Sequence, residues 1–117
     1  VGTAIILKAE SKMDLVTAIS GSGPAYVFLF IEELINSAVN FGLDKKTATI
    51  LVTETLLGSS YLASISNQTP EVLRQNVTSP GGTTEAALKV LNKNNSFYKL
   101  LNSAVNAAIQ KSIKLSS

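Results

Sequence analysis

Apolar positions in this chain fall into blocks separated by short polar or glycine-containing breaks, and the block lengths decide most of the secondary structure. Residues 3–7 (T-A-I-I-L) are rich in β-branched side chains and predict a strand, but one strand makes no sheet, so its partners must lie elsewhere. After the polar A-E-S-K stretch, M-D-L-V-T-A-I predicts one or two helical turns. S-G-S-G-P-A-Y then opens a long helix. Ser22 or Gly23 is the expected cap, Pro24 sits where its missing N–H costs nothing, and Ala25 to Phe41 continue to a stop at Gly42. The first turns of that helix are apolar on every side, with Glu32 and Glu33 only later, which predicts a buried helix.

A second helix is expected from Asp44 to about Ile65. Gly58-Ser59-Ser60 in its middle removes side-chain bulk, so either another helix crosses closely there or the axis bends. Thr69-Pro70-Glu71 starts a short helix over 70–76, and Glu85 to Leu91 form another whose N-terminus is Thr83 or Thr84. Asn94-Asn95 break it, and Ser96 is expected to cap a last helix over 97–115. There Phe97, Leu100, Leu101, Ala104, Val105, Ala108, Ile109 and Ile113 recur at three- and four-residue spacings. No repeat, linker or low-complexity segment interrupts this order. The expectation is one all-α domain with a strand left over at its front.

Composition adds constraints. The chain has 117 residues, enough for one domain, and 45% of them are apolar. A mean hydropathy of +0.26 is high for a soluble monomer and predicts that part of the apolar surface meets another chain. The formal charge is only +2 and the basic residues are scattered, so nucleic acid is not an expected partner. Cysteine and histidine are both absent, which excludes disulfides, thiolate nucleophiles and histidine-based triads, and leaves no zinc site of the usual kind. The longest uninterrupted apolar run, Ala25 to Ile31, is short for a bilayer, and no basic-then-apolar leader opens the chain, so a cytoplasmic protein without a membrane partner is expected. The chain opens at Val1 rather than methionine, as a fragment of something longer would.

Two motifs remain. In V-T-S-P-G-G-T-T (77–84), Pro80 fixes one dihedral, Gly81 and Gly82 permit positive φ, and a helix follows at once. Uncovered N–H groups at a helix N-terminus favour a carboxylate or phosphate, and the hydroxyls of Ser79, Thr83 and Thr84 stand around the same point. A rigid interhelical turn with threonine caps is the competing account. In G-S-G-P-A-Y (21–26), a dinucleotide fingerprint fails because Tyr26 replaces the third glycine and no convincing strand precedes it. A tight loop into a buried helix fits better, with Tyr26 a core or interface aromatic.

The string S-G-S-G-P-A-Y-V-F-L-F-I-E-E-L, G-L at 42–43, L-L-G-S-S at 56–60, P-E-V-L-R-Q-N-V-T-S-P-G-G-T-T at 70–84 and A-V-N-A-A at 104–108 together resemble pyrroline-5-carboxylate reductase across essentially the whole chain. The resemblance implies the helical C-terminal half of that enzyme, a dimerisation bundle like the C-terminal part of 6-phosphogluconate dehydrogenase. Residues 1–10 would be the remnant of an N-terminal dinucleotide-binding domain, its last strand included, and 11–117 the dimerisation and substrate-binding domain. The implied reaction moves hydride from NADPH or NADH to the C=N bond of 1-pyrroline-5-carboxylate, giving L-proline, in a homodimer or larger homo-oligomer.

Carried over by position, Ser79 would hydrogen-bond the substrate carboxylate, the N–H groups of Gly82 and Thr83 would complete that clamp, and Thr84 would place its hydroxyl on the ring nitrogen as the catalytic residue. The cofactor site would lie largely on the missing domain, so these residues alone are expected to be inactive. One departure is Asn67, where some members of the family carry a glutamate near the active site. Two other readings stay open: a non-catalytic helical association module, and a regulatory relative that binds a small carboxylate. A different dehydrogenase with a helical C-terminal half is a weaker competitor, since its usual lysine or histidine acid is missing.

Overall fold

The computed structural model describes residues 11–117; the strand predicted at 3–7 lies outside the described residues, as does the rest of 1–10. Every regular element among the described residues is helical, as the all-α expectation requires. Helix α1 (Ser11–Val16) runs directly into a π-helical turn, Thr17–Gly21. It is followed by α2 (Gly23–Asn40), α3 (Lys45–Ile65), α4 (Pro70–Asn76), α5 (Thr83–Leu91), a 3₁₀ turn (Lys93–Asn95) and α6 (Ser96–Ser116). The described residues fall into two compact units, one made of residues 11–26 with Asn94–Ser117, the other of Val27–Lys93.

Local chemistry sets the boundaries in the second unit. At the end of α2, Gly42 has φ +117°. Its N–H reaches the Val39 carbonyl at 3.0 Å while the Leu43 N–H reaches Ala38 at 3.1 Å, the paired bonds of a Schellman motif. Asp44 then caps α3, its carboxylate accepting from the Thr47 N–H at 3.1 Å. Thr69 caps α4 by accepting from the Val72 N–H at 3.3 Å, with Pro70 in the first turn. α5 begins at Thr83, one of its two expected starts, with Gly82 at the N-cap and no side-chain cap hydrogen bond.

The first unit differs from expectation at the start of α6. Ser96 is its first residue rather than its cap, which is Asn95 in the left-handed region at φ 57°. Asn94 lies at φ 55°. Asparagine tolerates that region better than most residues, so the pair reverses the chain without glycine. In the π turn, the Ser22 N–H bonds the Thr17 carbonyl at 2.9 Å, five residues back, in place of the Ala18 carbonyl that an α-helix would use. The Tyr26 hydroxyl donates to that Ala18 carbonyl at 2.7 Å. Helix α6 packs on α1 and the π turn, and the Ser112 hydroxyl donates to the Asp14 carboxylate at 2.6 Å.

Large side chains are not gathered into a core. Ala18, Ala48 and Val52 are the buried apolar residues among those described. The start of α2, expected to be buried, leaves Phe28 67% and Leu29 57% exposed, and Phe41 beyond its end is 86% exposed. Periodicity reads how apolar a face is, not which molecule covers it. Outside its own helix, a Cβ built on Gly58 would meet no atom of the described residues within 4 Å, and α3 is unbroken there, so among the described residues no helix crosses at the small residues. Leu34, Ala38 and Phe41 line an open apolar groove with Leu51 and Val52 of α3. Whole helical stretches, Lys12–Asn40 and Lys45–Ile65, are longer than the run read from sequence and reach the length and apolarity of a membrane span, a property shared by core helices of soluble proteins.

Candidate functional site

The S-P-G-G-T-T segment joins α4 to α5. The last carbonyls of α4 are satisfied first: the Arg74 carbonyl accepts from the Val77 N–H at 3.3 Å and from the Thr78 hydroxyl, and the Gln75 carbonyl accepts from the Thr78 N–H at 3.1 Å. Ser79-Pro80-Gly81-Gly82 then make a β-turn closed by the Gly82 N–H on the Ser79 carbonyl at 3.0 Å. With proline at its second position and Gly81 at φ +73°, this is a type II turn. The Gly82 carbonyl accepts the first intrahelical bond of α5, from the Ala86 N–H at 3.2 Å.

Thr83, Thr84 and Glu85 therefore occupy the first three helical positions, whose N–H groups have no intrahelical acceptor. The hydroxyls of Ser79, Thr83 and Thr84 are exposed, and among the described residues they have no hydrogen-bond partner. The structure thus brings the four residues singled out from the sequence into one turn and the helix start after it. Gly82 departs from the simplest version of that reading, because its N–H is already engaged by the Ser79 carbonyl. The helix N-terminus and the open donors suit an anion, and the groove beside the loop is lined by Arg74, Lys89 and the Glu85 carboxylate that pairs with Lys89.

Glu85 is the loop residue that the sequence reading missed. Its Oε1 accepts the Gly81 N–H at 3.1 Å and lies 3.8 Å from the Lys89 ammonium. The available signal was an acidic residue at the third position of a helix, the place from which a capping-box glutamate reaches back. Asn67 is exposed in the connection before α4. Its neighbour Gln68 ties that connection to the far end of α4, accepting from the Asn76 carboxamide at 2.9 Å. A carboxamide at position 67 can hydrogen-bond but has no proton to give up. Tyr26 belongs to the other unit, where its hydroxyl is committed to a backbone carbonyl.

The family described as pyrroline-5-carboxylate reductase dimerisation matches residues 10–115. A pyrroline-5-carboxylate reductase of Pseudomonas aeruginosa is 45% identical over 115 residues, 98% of this chain and 42% of that protein. One from Arabidopsis thaliana is 48% identical over 112 residues, 95% of this chain and 40% of the relative. Among solved structures, the pyrroline-5-carboxylate reductase of Coxiella burnetii superposes with a TM-score of 0.94 at 43% identity, covering 100% of this chain and 43% of that one. The Plasmodium falciparum pyrroline carboxylate reductase with NADP bound gives a TM-score of 0.88 at 45% identity, covering 93% and 41%. This chain spans about two fifths of the length of the relatives it matches. From the extent of these matches, the chain belongs to the pyrroline-5-carboxylate reductase dimerisation family.

Proposed function

We propose that this chain is the subunit-joining and substrate-holding part of a reductase that reduces the C=N bond of 1-pyrroline-5-carboxylate to L-proline with NADPH or NADH. The observation that carries this reading is the type II turn at the start of α5, with the hydroxyls of Ser79, Thr83 and Thr84 unpartnered among the described residues. The names of the relatives, one of them holding NADP, give the reaction class.

Ser79 and the Thr83 N–H hold the substrate carboxylate, with the Gly82 N–H shared between that carboxylate and the Ser79 carbonyl as a three-centre donor. Thr84 donates its hydroxyl to the ring nitrogen. That nitrogen gains electron density as the imine becomes an amine, so a donor aimed at it strengthens in the transition state and lowers the barrier rather than merely tightening binding. The described residues do not fit a dinucleotide: none forms a strand leading into a glycine-rich turn, and G-S-G-P-A-Y follows a π-helical turn. The nicotinamide supplies hydride when bound, on residues outside those described, which alone are expected to reduce nothing. The exposed apolar faces of α2 and α3 meet a second copy in a cytoplasmic homodimer or larger homo-oligomer, as the dimerisation family implies.

Oxidation of NAD(P)H driven by pyrroline-5-carboxylate in the full-length protein tests this. Thr84→Ala is expected to lower turnover by the equivalent of about 2–4 kcal/mol, and Ser79→Ala to act mainly on KM. A folded, oligomeric wild type with no turnover would leave an association module with a rigid turn.

A further inference from the structure

We propose that Glu85 is a positioning residue: its carboxylate holds the Pro80–Gly81 peptide in the orientation that keeps the substrate-binding turn in its type II form. This rests on the reading of the loop given above as a carboxylate-binding site.

The turn sequence favours one form without locking it. A β-turn with proline second and glycine third can be type I or type II, and the two differ by a flip of the central peptide, here the Pro80 carbonyl with the Gly81 N–H. Proline suits both forms, and glycine adopts negative or positive φ with equal ease. Pro80-Gly81 therefore favours type II, glycine accepting the positive φ of its third position, without shutting out type I. The turn bond from the Gly82 N–H to the Ser79 carbonyl, 3.0 Å, is common to both types and cannot choose between them.

Glu85 fixes that preference. It grips the central peptide itself, Oε1 accepting the Gly81 N–H at 3.1 Å, and Gly81 accordingly sits at φ +73°. A flip would bring the Pro80 carbonyl oxygen round toward a carboxylate, replacing a charge-assisted hydrogen bond by repulsion. The third helical position is where a side chain can reach back over the N-terminus, so α5 anchors the loop that precedes it. Lys89, 3.8 Å away on the next turn, offsets the negative charge that Glu85 brings close to a site meant for an anion. That pair is largely exposed and adds little by itself, so the hydrogen bond carries the role.

A turn that exchanged between the two forms would present Ser79 and Thr83 correctly for only part of the time, and apparent substrate affinity would fall by that fraction. Chemistry at the bound imine would be little changed. The signature is thus a rise in KM with kcat preserved, rescued by a side chain that keeps the acceptor but not the charge.

The experiment uses the full-length protein with Glu85→Ala and Glu85→Gln, and reads both hydrogen exchange at the Gly81 amide and steady-state kinetics. For Glu85→Ala, Gly81 exchange is expected to speed up, and KM for pyrroline-5-carboxylate to rise, each about tenfold, the scale of one hydrogen bond to a charged group, with kcat within about threefold. For Glu85→Gln, both readouts should stay close to wild type, because the carboxamide oxygen still accepts. Unchanged Gly81 exchange in Glu85→Ala would overturn the proposal whatever the kinetics, as would a Glu85→Gln variant as impaired as Glu85→Ala. Accelerated Gly81 exchange in a protein whose wild type fails to turn over the substrate would sink the reductase reading and leave the turn lock standing.

Discussion

The two units of the chain hold their shape in different ways. In Val27–Lys93, the caps, turns and side-chain bonds join near neighbours in sequence: Asp44 to Thr47, Thr69 to Val72, Gly82 to Ser79, Glu85 to Gly81, and Gln68 to Asn76. In the other unit, the Ser112 hydroxyl meets Asp14 across almost the whole length of the chain, and α6 packs on the π turn that Tyr26 braces. The first kind of structure forms its loop wherever the local sequence is placed, whereas the second exists only after distant segments have met. The turn at 79–82 lies in the locally specified unit, which also carries the exposed apolar side chains of α2 and α3.

The contrast is tested most severely at those faces. Phe28 is 67% exposed, and Phe28→Asp should raise the dimer dissociation constant at least about a hundredfold, the scale of a buried aromatic anchor at an interface. Light scattering across a concentration series of the full-length protein reads this directly. A dimer as tight as wild type would show that a different surface joins the subunits. The turn at 79–82 should survive the substitution in either case, since its bonds lie within a few residues of one another.

Next in size is the loss of the bond that braces the π turn. Tyr26→Phe leaves the Ala18 carbonyl, on a residue with no exposed surface, without its donor, and should cost about 1–3 kcal/mol in denaturant unfolding of the intact protein. Hydrogen exchange should quicken around Thr17–Ser22 and stay unchanged at Gly81, since the loop does not depend on that brace. Equal changes in both places would erase the distinction between the units.

The smallest expected effect is a pH dependence at the cap of α3. Hydrogen bonding from Thr47, its side chain first and then its backbone, holds the Asp44 carboxyl below its ordinary value of 3.8. A depressed folded pKa means that the carboxylate's contribution is complete above the unfolded value and is lost as pH falls through the lower, folded one. Asp44→Asn keeps a capping acceptor and removes the titration. As pH falls below the ordinary carboxylate range, wild type should therefore lose stability relative to Asp44→Asn, and parallel acid-unfolding curves would contradict the shift.

Much of this was legible in the amino-acid order because it is written over a few residues. The Thr69-Pro70 start gave helix 70–76, Asp44 gave the start of α3, Gly42 the end of α2, and Pro80-Gly81-Gly82 the break between α4 and α5. The misses have physical causes. Ser96 is a helical residue rather than a cap because Asn95 already provides the turn into the helix. The burial expected for α2 was inferred from its apolar circumference, a property of the helix alone.

By itself, then, the sequence determined the helices, their stops and the chemistry gathered between α4 and α5, since caps, turns and periodicity act over one or two turns of chain. Tertiary structure alone decided that Ser112 meets Asp14, that Ser22 adopts a π register and hands the Ala18 carbonyl to Tyr26, and that so few large apolar side chains are buried within one chain. Those outcomes depend on which surfaces come together in space, and no local pattern of residues encodes the distance between them.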